Sequence, residues 1–126
     1  MPKATAKQRR DAREVVLKRD GNTCQRCGVD LVYKLASIHH RRPRGMGSSR
    51  LVDTPSNLVL LCGSATTPKS CHQTVESLRD EARVEGWLIP KLSRVHPSQV
   101  PLLTHRGWLL LADDGSSTPY EFPKEA

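Results

Sequence analysis

Apolar residues are sparse and bunched along this chain, so the elements they predict are short. Thr5 with Gln8 three residues later has the form of a capping box, and residues 6–18 favour helix through most of their length. The only strongly apolar residues of that helix, Val15, Val16 and Leu17, sit at its C-terminal end. One end therefore docks, and the rest is solvated or lies along a phosphate backbone. Asp20, Gly21 and Asn22 break it. Residues 31–38 are a mixed apolar run that reads as a strand leading into His39. Residues 45–49 read as a flexible loop and 53–56 as a turn. The run that follows Asn57, residues 58–61, is the most convincing buried segment and ends at Cys62. After a return from Gly63 to Cys71, a helix begins near His72, with Val75, Leu78 and Ala82 on one face and a stop at Gly86. Farther on, Pro90, Pro97 and Pro101 punctuate an irregular stretch, and residues 108–112 and 118–122 read as two strands joined by a turn at Asp113, Asp114 and Gly115.

The pattern predicts an α+β protein of one domain in three segments: a basic helix (1–19), a strand-loop-strand-helix core (20–86), and an extension with a short strand pair (87–126). At 126 residues, 37% hydrophobic and 4% aromatic, the core is thin and calls for a staple. Cys24, Cys27, Cys62 and Cys71 are the candidates. No apolar run reaches the ~18 residues of a membrane span, and the basic start leads into no secretory core. The expectation is a cytoplasmic protein with no membrane partner, where metal-bound thiolates are favoured over disulfides.

Charge narrows the partners. The net charge is +7, and four thiolates around one divalent ion would leave it still basic. Arg41, Arg42, Arg44 and Arg50 crowd the stretch after the histidine pair with no acid among them. Residues 1–20 hold seven Lys or Arg against Asp11, Glu14 and Asp20. For the N-terminal run a solvated face explains the pattern as well as a partner does. Four arginines beside two histidines point to a polyanion such as nucleic acid.

Cys24 and Cys27 form a Cys-x-x-Cys turn, the geometry of a zinc knuckle. A redox dithiol would need a βαβ context that the polar, basic sequence after it does not offer. Cys62 and Cys71 are eight residues apart, so their loop must bulge outward for all four sulfurs to reach one ion. Two disulfides or four free thiols are the alternatives. His39 and His40 are neighbours on a predicted strand and point to opposite sides, so they serve different tasks. Glu76 follows His72 at i+4 on one helix face, either as a third ligand or as an exposed helix carboxylate. His96 and His105 have no partners at ligand spacing, and Asp113 and Asp114 read as turn formers.

The order His39-His40, Asn57, His72, bracketed by two cysteine pairs, resembles the HNH endonuclease family over roughly residues 20–83. The pieces RDGNTCQRCG, PSNLVLLC and CH look like small phage-borne members. The resemblance implies a ββα-metal core, a four-cysteine structural zinc, and metal-dependent hydrolysis of DNA to 5′-phosphate and 3′-hydroxyl ends. It implies His40 as general base, His39 and His72 as metal ligands with Glu76 as a third, and Asn57 either orienting the base or reaching the metal. Arg41, Arg42, Arg44 and Arg50 would then hold the DNA backbone. His39 stands where many members have Asp, which favours zinc, nickel or manganese over magnesium at the active site. A nuclease that works with a phage terminase or another packaging protein in the host cytoplasm, and a non-catalytic zinc-containing DNA-binding module, are the alternatives.

Overall fold

The Thr5 hydroxyl accepts the Gln8 N–H while the Gln8 side chain accepts the Thr5 N–H, and this reciprocal pair starts α1 (Ala6–Asp20). Gly21 closes the helix in the left-handed region at φ 57°. The computed structural model describes residues 3–44 and 52–124. The glycine-serine loop and Arg50 lie outside the described residues. Of α1, only Ala12, Val16 and Asp20 are buried. The last of these is held by polar contacts: Arg19 forks onto its carboxylate at 2.8 and 3.0 Å, and the carboxylate accepts the Leu60 N–H. Arg19 also donates to the carbonyls of Pro55 and Leu58, so one arginine of the basic run is a staple between helix and sheet.

β1 (Ala36–His40) runs antiparallel to β2 (Leu58–Cys62), with Ala36 opposite Cys62 and His40 opposite Leu58. The predicted strand began at residue 31, but residues 32–34 turn instead and leave Tyr33 99% exposed. Leu58 to Leu61 are all buried because β2 is covered on both faces. Leu58 packs with Ala12 and Val16 of α1, and Val59 and Leu61 join Val75 of the helix that follows. That helix is two pieces, α2 (Cys71–Ser77) and α3 (Arg79–Val84), where one was expected. Leu78 leaves helical geometry at the break and is half exposed, while Val75 and Ala82 stay buried. The kink lets those two reach the core and gives up the burial of Leu78.

The segment after Gly86 is part of the same core. Trp87, Leu102, Leu109 and Leu111 pack in one cluster with Val59, Leu61 and Val75. The expected strand pair is a three-stranded antiparallel sheet, β3 (Leu102–Thr104), β4 (Gly107–Leu111) and β5 (Ser117–Pro119). The divisions at 19/20 and 86/87 therefore mark no separate cores. Gly86 is required where it stands: its φ is 84°, and a Cβ there would lie 2.0 Å from the Pro101 carbonyl oxygen. Among the described residues no helix is long and apolar enough to cross a membrane.

Candidate metal centre and its surroundings

The tight turn after α1 brings Cys24 and Cys27 together: the Gly28 N–H donates to the Cys24 carbonyl at 2.8 Å, and the Cys24 N–H donates to Val29. Cys62 ends β2 and Cys71 opens α2. Between them the chain bulges, as their spacing requires. The bulge is held by the Ser70 hydroxyl donating to Thr67 O and by Thr67 Oγ1 accepting the Ser64 N–H. All four sulfurs are free and lie within 4.8 Å of one another. Thiolates around a tetrahedral zinc with ~2.3 Å bonds would be about 3.8 Å apart, so the group is spaced to hold a metal ion. Donors already face the sulfurs: Cys71 N–H to Cys62 Sγ at 3.3 Å and Arg26 to Cys71 Sγ at 3.5 Å. Burial alone would raise the Cys24 thiol, but the N–H groups of Cys27, Cys62 and Arg26 outweigh it and hold the thiol below its usual value.

A second group forms where β1 meets α2. His39 is fully buried and projects toward α2, as does Ser37 two residues earlier. His39 Nε2 lies 2.6 Å from the Trp87 carbonyl, which can only accept, so Nε2 carries the proton and Nδ1 presents a lone pair. That Nδ1 is buried without a hydrogen-bond partner, 3.2 Å from Glu76 Oε1. His72 is fixed the same way. The single Ser37 hydroxyl proton goes to the Gly63 carbonyl at 2.6 Å, so Ser37 Oγ accepts from His72 Nδ1–H at 2.5 Å. His72 Nε2 is left with its lone pair, 3.7 Å from Glu76 Oε1. Burial lowers His72 and keeps its ring neutral. Two imidazole lone pairs and one carboxylate thus lie within 4.8 Å of one another, a group that could hold a metal ion. Glu76 is 34% exposed, and its carboxylate lies between the two rings rather than out in solvent. The signal for Ser37 was its place at i−2 from His39, on the same strand face.

His40 turns to the other face, as alternation requires. Its Nε2 donates to Asp53 Oδ1 at 2.9 Å, and Asp53 is buried. Burial lowers His40 against the pull of Asp53, so at neutral pH the ring is uncharged and Nδ1 is its acceptor. Sequence reasoning took Asp53 for a turn residue, and nothing local distinguishes it from one. Among the described residues the Asn57 side chain bonds to backbone rather than to His40. Its Oδ1 accepts the Arg42 N–H, and its Nδ2 donates to the carbonyls of Arg42 and Val52, so it clamps the two ends of the β1–β2 connection.

The arginines separate into different roles. Arg41, expected on a phosphate, is fully buried and donates to the carbonyls of Gly86, Ser56, Pro97 and Val100. No phosphate reaches it. Arg42 is half-buried and its guanidinium donates to the Val95 carbonyl. Arg44 is exposed, 3.8 Å from Asp53 beside His40. His96 has a partner in space, Asp113 at 3.4 Å, and Asp113 also accepts the Ser56 N–H. Compared with known proteins, the chain matches no family model, no curated protein and no solved structure.

Proposed function

We propose that the protein is a metal-dependent endonuclease of the HNH type, in which β1, β2 and α2 form a ββα-metal core and the four cysteines hold a structural zinc. One observation carries this reading: the lone pairs of His39 Nδ1 and His72 Nε2 converge with Glu76, and the next residue on the strand is a neutral histidine backed by a buried carboxylate. His39, His72 and Glu76 would hold a divalent ion, which would supply positive charge against the phosphate and the leaving oxygen. The His2Glu donor set suits zinc, nickel or manganese better than magnesium.

The chain's own residues do the rest. His40 Nδ1 takes a proton from water as the water oxygen attacks phosphorus and the P–O3′ bond breaks; a proton from a second, solvent water goes to the departing O3′, leaving a 5′-phosphate and a 3′-hydroxyl. The imidazolium so formed rests against Asp53, which both orients the ring and offsets its charge. Ser37 and the Trp87 carbonyl keep the two ligand rings in the tautomers that face Glu76. Arg44 supplies a phosphate contact, which positions DNA without reading its sequence.

The test is cleavage of supercoiled plasmid by wild type and His40→Ala, with magnesium, manganese, nickel and zinc added in turn. Nicked or linear product from wild type and little from the variant is expected. Equal cleavage by both removes His40 as the base. Retarded plasmid with no cleavage under any ion leaves a DNA-binding module.

A further inference from the structure

Around the end of β1, two arginines outside the histidine motif face the same side as His40. Arg9 and Arg13 are four residues apart on α1, one turn from each other on one face. With His40, Arg44 and Asp53 they line a cleft between α1 and the strand end. Both are exposed. Arg9 spends one N–H on the Ala4 carbonyl at 2.7 Å, and Arg13 has no ion pair or hydrogen bond among the described residues. The one acid lining the cleft, Asp53, is already engaged by His40 at 2.9 Å and approached by Arg44 at 3.8 Å. On the other side of Asp53 lies a second cleft whose charged lining is Asp11, Asp53 and Asp113. The field across the α1 contact therefore changes sign within one element: an anion is drawn to the Arg9–Arg13 side and repelled from the other.

We propose that this cleft is a phosphodiester subsite, in which Arg9 and Arg13 of α1 join Arg44 in holding the strand to be cut next to His40. The choice of DNA as the source of the phosphate rests on the nuclease reading above. His40 and the three arginines line one cleft, so a strand seated on α1 passes beside the base. Among the described residues of the run after the histidines, Arg41 is buried and Arg42 is tied to Val95, which leaves Arg44, and Arg9 and Arg13 of α1 add their contacts to it.

The experiment is anisotropy of a short fluorescein-labelled DNA duplex with the full-length protein, without added catalytic metal, across a series of salt concentrations. Arg9→Ala/Arg13→Ala is compared with Arg10→Ala/Arg106→Ala, which removes the same charge from exposed positions outside the cleft. The first pair is expected to flatten the plot of log K against log salt by about one for each phosphate left without its arginine, and Arg9→Lys/Arg13→Lys to restore it. The control pair leaves the slope in place. Equal slopes for the cleft pair and wild type, or an equal loss in the control pair, overturn the subsite. Cleavage separates the two ideas: a wild type that binds with the Arg9/Arg13 slope but never cuts keeps the subsite and refutes the nuclease, while cutting with an unchanged slope does the reverse.

Discussion

Replacing Arg41 by methionine tests whether the arginine run after the histidines is scaffold or DNA contact. Methionine keeps most of the apolar stem and removes four donations: Nε to Gly86 O at 2.9 Å, Nη1 to Ser56 O at 2.9 Å and Pro97 O at 3.2 Å, and Nη2 to Val100 O at 2.7 Å. Hydrogen bonds from a charged group contribute about 1.5–3 kcal/mol each, so the gross loss is about 6–12 kcal/mol. Against this stands the cost of burying the charge. Burial, with Arg19 and Arg42 nearby, pushes the guanidinium from 12.5 down to about 9, which corresponds to about 5 kcal/mol. The lost bonds win, and the middle of the range leaves a net destabilisation of about 4 kcal/mol. Urea unfolding followed by tryptophan fluorescence, to which the fully buried Trp87 contributes with Trp108, measures it. Arg44→Ala, at an exposed position, is expected within about 0.5 kcal/mol of wild type in the same assay and weaker in DNA binding. A methionine variant as stable as wild type but poor at binding DNA would refute the scaffold role.

Four further outcomes follow from the same geometry. Ser37→Ala frees the His72 tautomer and is expected to weaken manganese binding at the His39–His72–Glu76 group by roughly 10–100-fold in calorimetry, with little change in unfolding; unchanged affinity would remove Ser37 from the site. Asp53→Ala leaves His40 without its partner and is expected to lower kcat on the order of 100-fold with KM nearly constant, whereas a pure KM effect would make Asp53 a binding residue. Gly86→Ala forces a left-handed residue against the Pro101 carbonyl and is expected to cost at least ~2 kcal/mol in urea; a neutral result would contradict the 2.0 Å approach. Chelation of a cysteine-bound metal is expected to remove a stabilisation on the order of 10 kcal/mol and with it cooperative unfolding; an unaltered melt, with no metal found by mass, would refute a metal at the cysteines.

What the sequence makes legible is local and periodic. The Thr5–Gln8 box, the buried run of β2, the cysteine spacings and the His72–Glu76 pair each depend on neighbours a few residues apart, and each has its expected place. Arg41 shows how charge can override a rule that was available. Ser37, His39 and Arg41 follow the two-residue period, and the Arg41 N–H still pairs with Asn57 O beyond the end of β1. Alternation alone would have sent Arg41 inward with His39. Asp53, the Trp87 carbonyl and the carbonyls around Arg41 are distant in sequence from what they bind, separated by 13, 48 and up to 59 positions. No local pattern announces such partners. β3 was missed because it follows Pro101 in a stretch punctuated by prolines, and its pairing with β4 is what makes Leu102–Thr104 a strand.

The two candidate metal groups are joined through α2. Cys71 and His72 are adjacent, and successive helical side chains diverge by about 100°, so one points to the cysteines and the other to His39 and Glu76. A helix of seven residues cannot sustain itself, because its few internal hydrogen bonds do not repay the ordering of its backbone. It is held by the Ser70 cap, by Val75 in the core, and by the donation of Cys71 N–H to Cys62 Sγ at the cysteine group. Loosening the cysteines therefore displaces His72 and Glu76 together, while His39, fixed on β1 and bonded to Trp87, stays where it is. The thin core and the candidate metal residues meet in this one short helix: α2 places Cys71 with the other cysteines and sets the distance at which His72 and Glu76 face His39.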